Sequence, residues 1–390
     1  MDLTSDILDP LSQIIIRAIE SRASDIHFEP TRDGVNVRIR VDGLMKQLIA
    51  PIDNSNRNNI ISRIKVLAEL NITENRMPQD GRYGINYQGK YYNFRVSTLA
   101  TIYGEAVVFR ILSRNDQFLS LENLGLFNDQ LEIINRLIST PAGMILTTGP
   151  TGSGKTSFLY SIVRAINKPE NTIVTIEDPV EYEVENIRQT QINDSYEFTF
   201  AKAMRAILRQ DPNYIMLGEI RDAETAQIAM QAALSGISVL STFHTFDIPF
   251  LVSRLNEMGI TLSIIAHTIR GVIETRLVRK ICDSCKEQYQ PNPQELQMLG
   301  GRKIDGVLMR GRGCEKCFKT GYLGRTGLFE ITLFDRDLQS SIIEKKPATF
   351  IYELLKSKNI LSLRDAGYLK VKAGETTVSE ITRVLGTFTP

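Results

Sequence analysis

Eight consecutive residues with the sequence GPTGSGKT lie between an apolar stretch and a segment that reads as a helix. They match G-x-x-x-x-G-K-[ST], the pattern of a phosphate-binding P-loop, in the strand-to-helix context that such a loop needs. Glycines at the turn let backbone N–H groups point at phosphate oxygens, and the helix that follows adds the positive end of its dipole. The sequence therefore predicts that ATP is bound by Gly149, Pro150, Thr151, Gly152, Ser153, Gly154, Lys155 and Thr156.

Two side chains of this loop have distinct predicted tasks. Lys155 supplies a positive charge for the β- and γ-phosphates, and the Thr156 hydroxyl is a ligand for Mg²⁺. The alternative is a glycine-rich turn with a surface lysine, but the flanking strand and helix favour nucleotide binding.

An acidic segment, VTIEDPVEY, follows the P-loop. Six carboxylates and no basic residue lie between Glu170 and Glu185. Beside a triphosphate such crowding would be repulsive without a cation, which predicts Mg²⁺ at this place. Glu177 directly follows a predicted strand and is the first candidate to activate water; the alternative is a solvated acidic loop.

Two more strand ends carry residues that suit phosphate chemistry. YIMLGE is an apolar strand that ends in an acid, and Gly218 stands where a magnesium-binding Asp is usual. Glu219 would bind the metal through water or orient the nucleophile, and the sequence does not divide these roles between Glu177 and Glu219. His244, in STFHT, would sense the γ-phosphate or polarise water, with a structural histidine as the alternative.

Four cysteines form two Cys-x2-Cys pairs, Cys282 with Cys285 and Cys314 with Cys317, separated by 28 residues. Each pair can bring two thiolates to one tetrahedral Zn²⁺, and four protein ligands leave no open position for chemistry. A structural zinc site is therefore predicted, with redox-active or unligated thiols as alternatives. The surrounding 270–325 has twelve basic and six acidic residues, which suits a docking surface or an ordinary solvated face.

Hydrophobic periodicity indicates the elements that must position these residues. An amphipathic helix and alternating strands predict a small α+β domain at 1–112, and a polar linker is predicted at 113–120. Strands alternate with helices beyond it, which predicts a parallel sheet with crossovers in an ATPase core at 121–262. The part 263–390 is predicted to be mostly helical around a cysteine module at about 280–320. The strands of the core are expected at Met144–Thr148, Ile173–Ile176, Tyr214–Leu217 and Val239–Thr242.

The composition is that of a folded protein with several cores. Hydrophobic residues make up 42% and charged residues 23% of the 390 residues, which excludes collagen, disorder and a cysteine-stapled toxin. The net charge of +1, the absence of Trp and the lack of a strongly basic half argue against direct nucleic-acid binding. No apolar run approaches the roughly 20 residues of a bilayer span, and the acidic start, MDLTSDILDP, differs from a secretory signal. A cytoplasmic location is therefore predicted.

Together these motifs resemble those of the secretion ATPases that power type II secretion and type IV pilus assembly, the GspE/PilB-type traffic ATPases. The P-loop resembles the family's Walker A, TIEDPVEY its Asp box, LRQDPNYIMLGEIRD its Walker B and STFHT its His box. Five further motifs resemble the family's second N-terminal domain: ASDIHFEP, RIRVDG, QDGRY, FRVSTL and GEAVVFRIL. The segment GCEKCFKTGYLGRTGLFE resembles the family's metal-binding segment. The resemblance implies a RecA-like α/β P-loop ATPase core, a small PAS-like N-terminal α+β domain and a helical, zinc-binding C-terminal part.

The resemblance further implies a homohexamer in which each ATP lies between the small domain and the RecA-like domain. Arg95 and Arg110 match basic residues of the family that reach the phosphates, and Arg82 and Arg221 are further candidates. Such arginines offset charge on the transferred phosphoryl group and make catalysis depend on domain closure. The resulting rotation would act on an inner-membrane platform protein, so membrane association would be peripheral and go through partners.

Three further functions stay open at this point. A pilus-retraction ATPase shares the P-loop core, although retraction relatives typically lack the four-cysteine module. A conjugation-type DNA-transfer ATPase and a non-hydrolysing scaffold stay open as well, and Lys155, Glu177 and Glu219 argue against the scaffold. Many relatives carry a further domain before the ASDIH motif, which begins here at residue 23, so cyclic-dinucleotide regulation through that domain is not predicted.

Overall fold

The structure, a computed structural model, describes four stretches of the chain, namely 9–112, 120–245, 247–299 and 307–386. The chain divides into two compact units, Met1–Asn115 and Asp116–Pro390. The predicted linker at 113–120 lies outside the described residues, apart from Ser120. Within the described part of the chain, none of the helices combines the length and the apolar character that a bilayer span needs.

The first unit is an antiparallel sheet that shares its apolar core with two helices. Its elements are α1 (Pro10–Glu20), β1 (Asp25–Pro30), β2 (Gly34–Val41), β3 (Leu44–Gln47), β4 (Ile52–Asp53), α2 (Arg57–Leu67), β5 (Gln79–Tyr87), β6 (Lys90–Thr101) and β7 (Gly104–Leu112). The strand order is β3-β2-β1-β7-β6-β5, and β4 pairs with β2. Alternate residues of the strands enter the core; in β2 they are Val35, Val37, Ile39 and Val41. The opposite face of the sheet is left to polar side chains.

The second unit begins with alternating strands and helices, as the sequence predicts. These elements are α3 (Asn128–Ser139), β8 (Gly143–Thr148), α4 (Lys155–Ile166), β9 (Ile173–Glu177), β10 (Arg188–Gln191), α5 (Phe200–Ile207), β11 (Tyr214–Leu217), α6 (Ala223–Leu234), β12 (Ser238–Phe243), α7 (Ile248–Glu257) and α8 (Leu262–Thr268). The later elements are β13 (Ile269–Ile281), β14 (Lys286–Tyr289), α9 (Pro293–Met298), β15 (Leu308–Gly311), β16 (Tyr322–Leu333), α10 (Arg336–Ile343), α11 (Ala348–Ser357), α12 (Leu363–Lys372) and α13 (Val378–Leu385).

A seven-stranded sheet of order β10-β9-β11-β12-β8-β13-β16 organises the second unit. All neighbouring strands are parallel except β13 and β16, which are antiparallel. Every residue of β8, β9 and β12 is buried, because helices cover both faces of a parallel sheet. The carboxyl ends of the parallel strands therefore meet at one edge, and this edge carries the P-loop, Glu177, Glu219 and His244.

The sequence predicts a mostly helical chain from about residue 262, and this is wrong for two long stretches. β13 and β16 are strands of thirteen and twelve residues, and they extend the sheet beyond the end of the predicted ATPase core. Residues such as Val272, Ile273 and Val278 are buried, whereas Arg270 is exposed. The β-branched residues suit a sheet position, and pairing on both sides of β13 overrides the weak helical pattern.

A buried ion cluster fixes α13 to the second half of β13. Glu380 is 1% exposed and accepts hydrogen bonds from Arg279 at 2.7 Å and from Arg383 at 2.5 Å. Burial opposes ionisation, but the hydrogen bonds from Arg383 and Arg279 outweigh it and hold the pKa of Glu380 at about 2. The Arg279 guanidinium also lies 3.9 Å from the centre of the Tyr322 ring on β16. These contacts join β13, β16 and α13 into one block.

Candidate active site and metal centre

The predicted P-loop connects β8 to α4 at the carboxyl edge of the parallel strands. Three of its glycines have φ in the left-handed region, with 139° at Gly149, 75° at Gly152 and 97° at Gly154. A Cβ atom on Gly149 would lie 2.6 Å from Ser153 Oγ and 2.7 Å from the carbonyl oxygen of Thr275. Glycine is therefore required at this position by close contact as well as by backbone conformation.

Lys155 is the first residue of α4, and its side chain lies against its own loop. Its Nζ donates hydrogen bonds to the carbonyl oxygens of Gly149 at 2.7 Å and Pro150 at 3.0 Å, and the residue is 8% exposed. Burial lowers the pKa of Lys155, and the negative charge of Glu219 opposes the shift. The ammonium group is thus held where phosphate oxygens would replace the two carbonyl contacts. Thr156 follows it, half-buried in the first turn of the helix.

Glu219 and His244 come together where β11 and β12 end. His244 Nε2 lies 3.4 Å from Glu219 Oε2. Arg221 forms an ion pair with Glu219, and its Nη1 lies 3.4 Å from Asp178 Oδ2. The carboxylate of Glu219 therefore has a cationic and an imidazole partner on one side and the charge of Lys155 nearby. Of the predicted catalytic residues in the second unit, Glu219 and His244 therefore lie in direct contact.

Glu177 ends β9, the strand next to β11, but its carboxylate faces a buried polar network. The residue is 3% exposed and accepts hydrogen bonds from Tyr160, from Thr175 Oγ1 at 2.5 Å and from Gln189 Nε2 at 3.2 Å. Burial raises the pKa of Glu177, and the hydrogen bonds from Thr175, Tyr160 and Gln189 oppose that shift. In this conformation the carboxylate is enclosed by protein, whereas Glu219 is partly open.

Three consecutive residues of β13 adjoin the P-loop and are not among the predicted site residues. Thr275 Oγ1 lies 3.1 Å from Ser153 Oγ in the loop. Arg276 pairs with Glu274 at 2.7 Å and donates a hydrogen bond to the carbonyl oxygen of Thr275 at 2.9 Å. Strand register brings them there, because Glu274 pairs with Thr148, the last residue of β8. The letters ETR belong to no motif, so only knowledge of β13 as a strand would have revealed them.

Glu274 makes the stability of the protein depend on pH. Burial raises the pKa of Glu274 to about 7, against the opposing charge of Arg276 and with help from Glu330, its cross-strand neighbour. The folded state keeps a proton that the unfolded chain releases near pH 4.5, so the free energy of unfolding should fall as the pH rises through about 7. Between about pH 5 and about pH 8, the free energy of unfolding should fall by about 2 kcal/mol less in Glu274→Gln than in the unaltered protein, as measured by urea unfolding. Equal pH slopes for the two proteins would contradict this.

In the first unit, arginines form a row across the polar face of the sheet. Direct strand pairing links Arg40 to Asp25, Asp25 to Arg110, Arg110 to Arg95 and Arg95 to Arg82. Directly paired residues point to the same face, so four guanidinium groups and one carboxylate share it. Asp25 lies 3.5 Å from Arg40 and 3.3 Å from Arg110. The row contains the predicted Arg95 and Arg110, and Arg40 is a member that the sequence did not single out.

The four cysteines converge on one point. Their Sγ atoms all lie within 4.8 Å of one another, and the separations are 3.9 Å for Cys282–Cys314, 3.8 Å for Cys285–Cys317 and 3.7 Å for Cys314–Cys317. A tetrahedron with Zn–S bonds of about 2.3 Å has edges of about 3.8 Å, so the set fits Zn²⁺. Backbone N–H groups of Cys314 and Gly321 point at Cys317 Sγ at 3.2 and 3.3 Å, which favours the thiolate.

Comparison with known proteins identifies the family. The family described as Type II/IV secretion system protein matches residues 4–383. The chain belongs to this family. A type II secretion system protein E of Dickeya dadantii is 43% identical over 378 residues, which are 97% of this chain and 75% of that protein. The type IV pilus assembly ATPase PilB of Thermus thermophilus is 42% identical over 374 residues, or 95% of this chain and 42% of the relative.

Solved structures agree with this assignment. The ATPase DotB of Legionella pneumophila superposes with a TM-score of 0.70 at 21% identity, over 96% of this chain and 94% of that one. The pilus retraction motor PilT with bound ADP superposes with a TM-score of 0.63 at 25% identity, over 96% of both chains. The predicted resemblance to secretion ATPases and the RecA-like α/β fold are therefore confirmed.

Proposed function

We propose that the chain hydrolyses ATP to power type II protein secretion or type IV pilus assembly. The observation that carries the proposal is the position of the P-loop, Glu219 and His244 at the carboxyl edge of a RecA-like sheet, with His244 3.4 Å from Glu219. The relatives support the setting, since one is a type II secretion system protein E and another the type IV pilus assembly ATPase PilB. The working form would be a homohexamer on an inner-membrane platform protein, peripheral to the membrane on its cytoplasmic side.

In the proposed site, the phosphates of ATP lie on the backbone N–H groups of the P-loop. Lys155 exchanges its carbonyl partners for the β- and γ-phosphates. The Thr156 hydroxyl would hold Mg²⁺, which supplies charge neutralisation on the phosphates when bound. Glu219 accepts a hydrogen bond from the attacking water, and His244 holds the Glu219 carboxylate in place. Arg221 pairs with the same carboxylate and would compete with the water for it.

The arginine row would provide positive charge for phosphoryl transfer. Arg95 and Arg110 are the proposed phosphate contacts, from the same chain or a neighbouring one, with Arg82 and Arg40 beside them. Their alignment on adjoining strands supports this role, because one polyphosphate can meet several guanidinium groups of such a row. The four cysteines would hold a structural zinc ion, as their spacing and their tetrahedral separations support.

Lys155→Ala tests the proposal. It is expected to reduce Mg²⁺-dependent ATP hydrolysis by about a hundredfold or more, because no other group of the loop supplies that charge to the γ-phosphate. Phosphate release from the purified full chain is the measurement. Lys168→Ala removes an exposed lysine just beyond α4 and should hydrolyse ATP at the unaltered rate. An unaltered chain without ATPase activity, or equal rates in the two variants, would refute the proposal.

Pilus retraction is the second candidate, because the retraction motor PilT shares the fold over 96% of both chains. The relatives at 42% and 43% identity favour assembly or secretion instead. Deletion of the gene separates the two. Loss of surface pili or of exoprotein release would support assembly or secretion, whereas pili that form and fail to withdraw would support retraction.

A further inference from the structure

Tyr160 connects the P-loop helix to the carboxylate that is predicted to activate water. It lies five residues after Lys155 in α4, and none of it is exposed. Its phenol donates a short hydrogen bond to Glu177 Oε2. The same oxygen of the phenol accepts a hydrogen bond from the backbone N–H of Tyr182 at 3.3 Å. Both hydrogen-bonding capacities of the phenol are therefore used, and its proton is committed to Glu177.

The rest of the network encloses the same carboxylate. Thr175 Oγ1 and Gln189 Nε2 donate to Glu177 Oε1 at 2.5 and 3.2 Å. Gln189 is itself fixed, because its Nε2 donates a hydrogen bond to the carbonyl oxygen of Tyr182 and its Oε1 accepts one from the N–H of Val184. The Glu177 carboxylate is only 3% exposed and accepts hydrogen bonds on both oxygens, so the surrounding protein shields it from solvent.

This conformation does not suit a residue that activates water. A group that accepts the proton of an attacking water must lie within hydrogen-bond reach of it. Thr175 and Gln189 belong to strands β9 and β10, whereas Tyr160 belongs to the helix that carries Lys155. Of the three donors, the phenol alone belongs to the helix that follows the P-loop, so it links that helix directly to Glu177.

We propose that Tyr160 is a positioning residue that holds the Glu177 carboxylate in a retracted conformation, and that this hydrogen bond must break before Glu177 can act in hydrolysis. The inference rests on the proposed function, ATP hydrolysis by this chain, and adds that Glu177 takes part in turnover. It goes beyond that function, because it assigns a role to a residue outside the P-loop, Walker B and His motifs. The phenol would limit hydrolysis to moments when the P-loop helix has moved relative to β9.

Single-turnover ATP hydrolysis by Tyr160→Phe tests the inference with the full chain. Loss of a hydrogen bond to a charged group destabilises the retracted state, so the rate should rise several-fold, up to about tenfold, at an unchanged KM for ATP. Tyr182→Phe is the matched control, because its ring lies 5.1 Å from that of Tyr160 and its hydroxyl bonds to Ser157. It should keep the unaltered rate.

Three outcomes separate the ways in which the inference can fail. An unaltered or reduced rate in a folded Tyr160→Phe protein would overturn the inference, since a merely structural tyrosine gives that result. If that variant does not fold, Gln189→Met removes another donor and should raise the rate in the same direction; an unchanged rate there would also overturn it. A Glu177→Gln protein that keeps the unaltered rate would also overturn the inference, whereas an unaltered chain without activity would refute the proposed function. The rate increase should vanish when Tyr160→Phe and Glu177→Gln are combined.

Discussion

Glu219→Gln is expected to lower ATP turnover by about a hundredfold or more while nucleotide binding stays close to that of the unaltered chain. Glutamine keeps the size of the side chain but cannot accept the proton of the attacking water or carry its negative charge. Binding should persist because the P-loop N–H groups and Lys155 are untouched. Steady-state phosphate release and equilibrium binding of a fluorescent ATP analogue are the two measurements.

Glu224→Gln is a matched control for that experiment, because Glu224 lies on α6 with its side chain 59% exposed and pairs with Arg205. The same substitution at Glu177 tests which of the two glutamates acts in hydrolysis, a question that the sequence leaves open. A Glu219→Gln protein that hydrolyses ATP at the unaltered rate would show that Glu219 has no role in hydrolysis. Loss of binding together with turnover would indicate that the carboxylate organises the pocket instead of acting in the chemical step.

Removal of metal from the four-cysteine centre should have the second large effect. Structural Zn²⁺ in small peptides contributes about 10–16 kcal/mol of apparent binding energy at neutral pH, and this energy is also folding energy. The Cys282→Ser protein is therefore expected to lose its bound zinc and to unfold the segment that contains β14 and β15. Zinc content by mass spectrometry and protease sensitivity of this segment are the measurements.

Ser284→Ala provides the control, since Ser284 is exposed between two of the cysteines and contributes no sulfur. It should bind one zinc ion per chain, as the unaltered protein should. A purified chain that takes up no zinc at equimolar concentration would contradict the assignment of the centre, and so would a Cys282→Ser chain with full zinc content.

The parts of the site that could be predicted are those written in consecutive residues. The P-loop brings its own glycines, Lys155 and Thr156 within eight positions, and the local turn needs little from the rest of the chain. The four cysteines were predictable as a set because each pair is local. Their convergence still depends on the antiparallel pairing of β14 with β15, which brings the second pair of cysteines to the first. Four of the parallel strands, β8, β9, β11 and β12, were predictable because their apolar runs are short and bounded by turns.

What could not be predicted depends on register and on side-chain rotation. The arginine row exists only because Arg40, Asp25 and Arg110 pair directly across strands that are far apart in sequence. Likewise, Thr275 and its neighbours reach the P-loop through a strand that the helical interpretation missed. The retraction of Glu177 depends on a helix residue, Tyr160, and periodicity carries no information about which way a carboxylate turns.

β13 has a mechanical consequence for the second unit. Its middle contacts the P-loop through Thr275, and its end leads directly into Cys282. Seven residues of extended chain span about 23 Å, and the pairing of this segment with β16 has one irregularity, between Arg279 and Ile281. Arg279 and Glu380 brace the same segment. In the proposed ATPase, a change in the angle of the P-loop would therefore be transmitted along β13 to the cysteine centre.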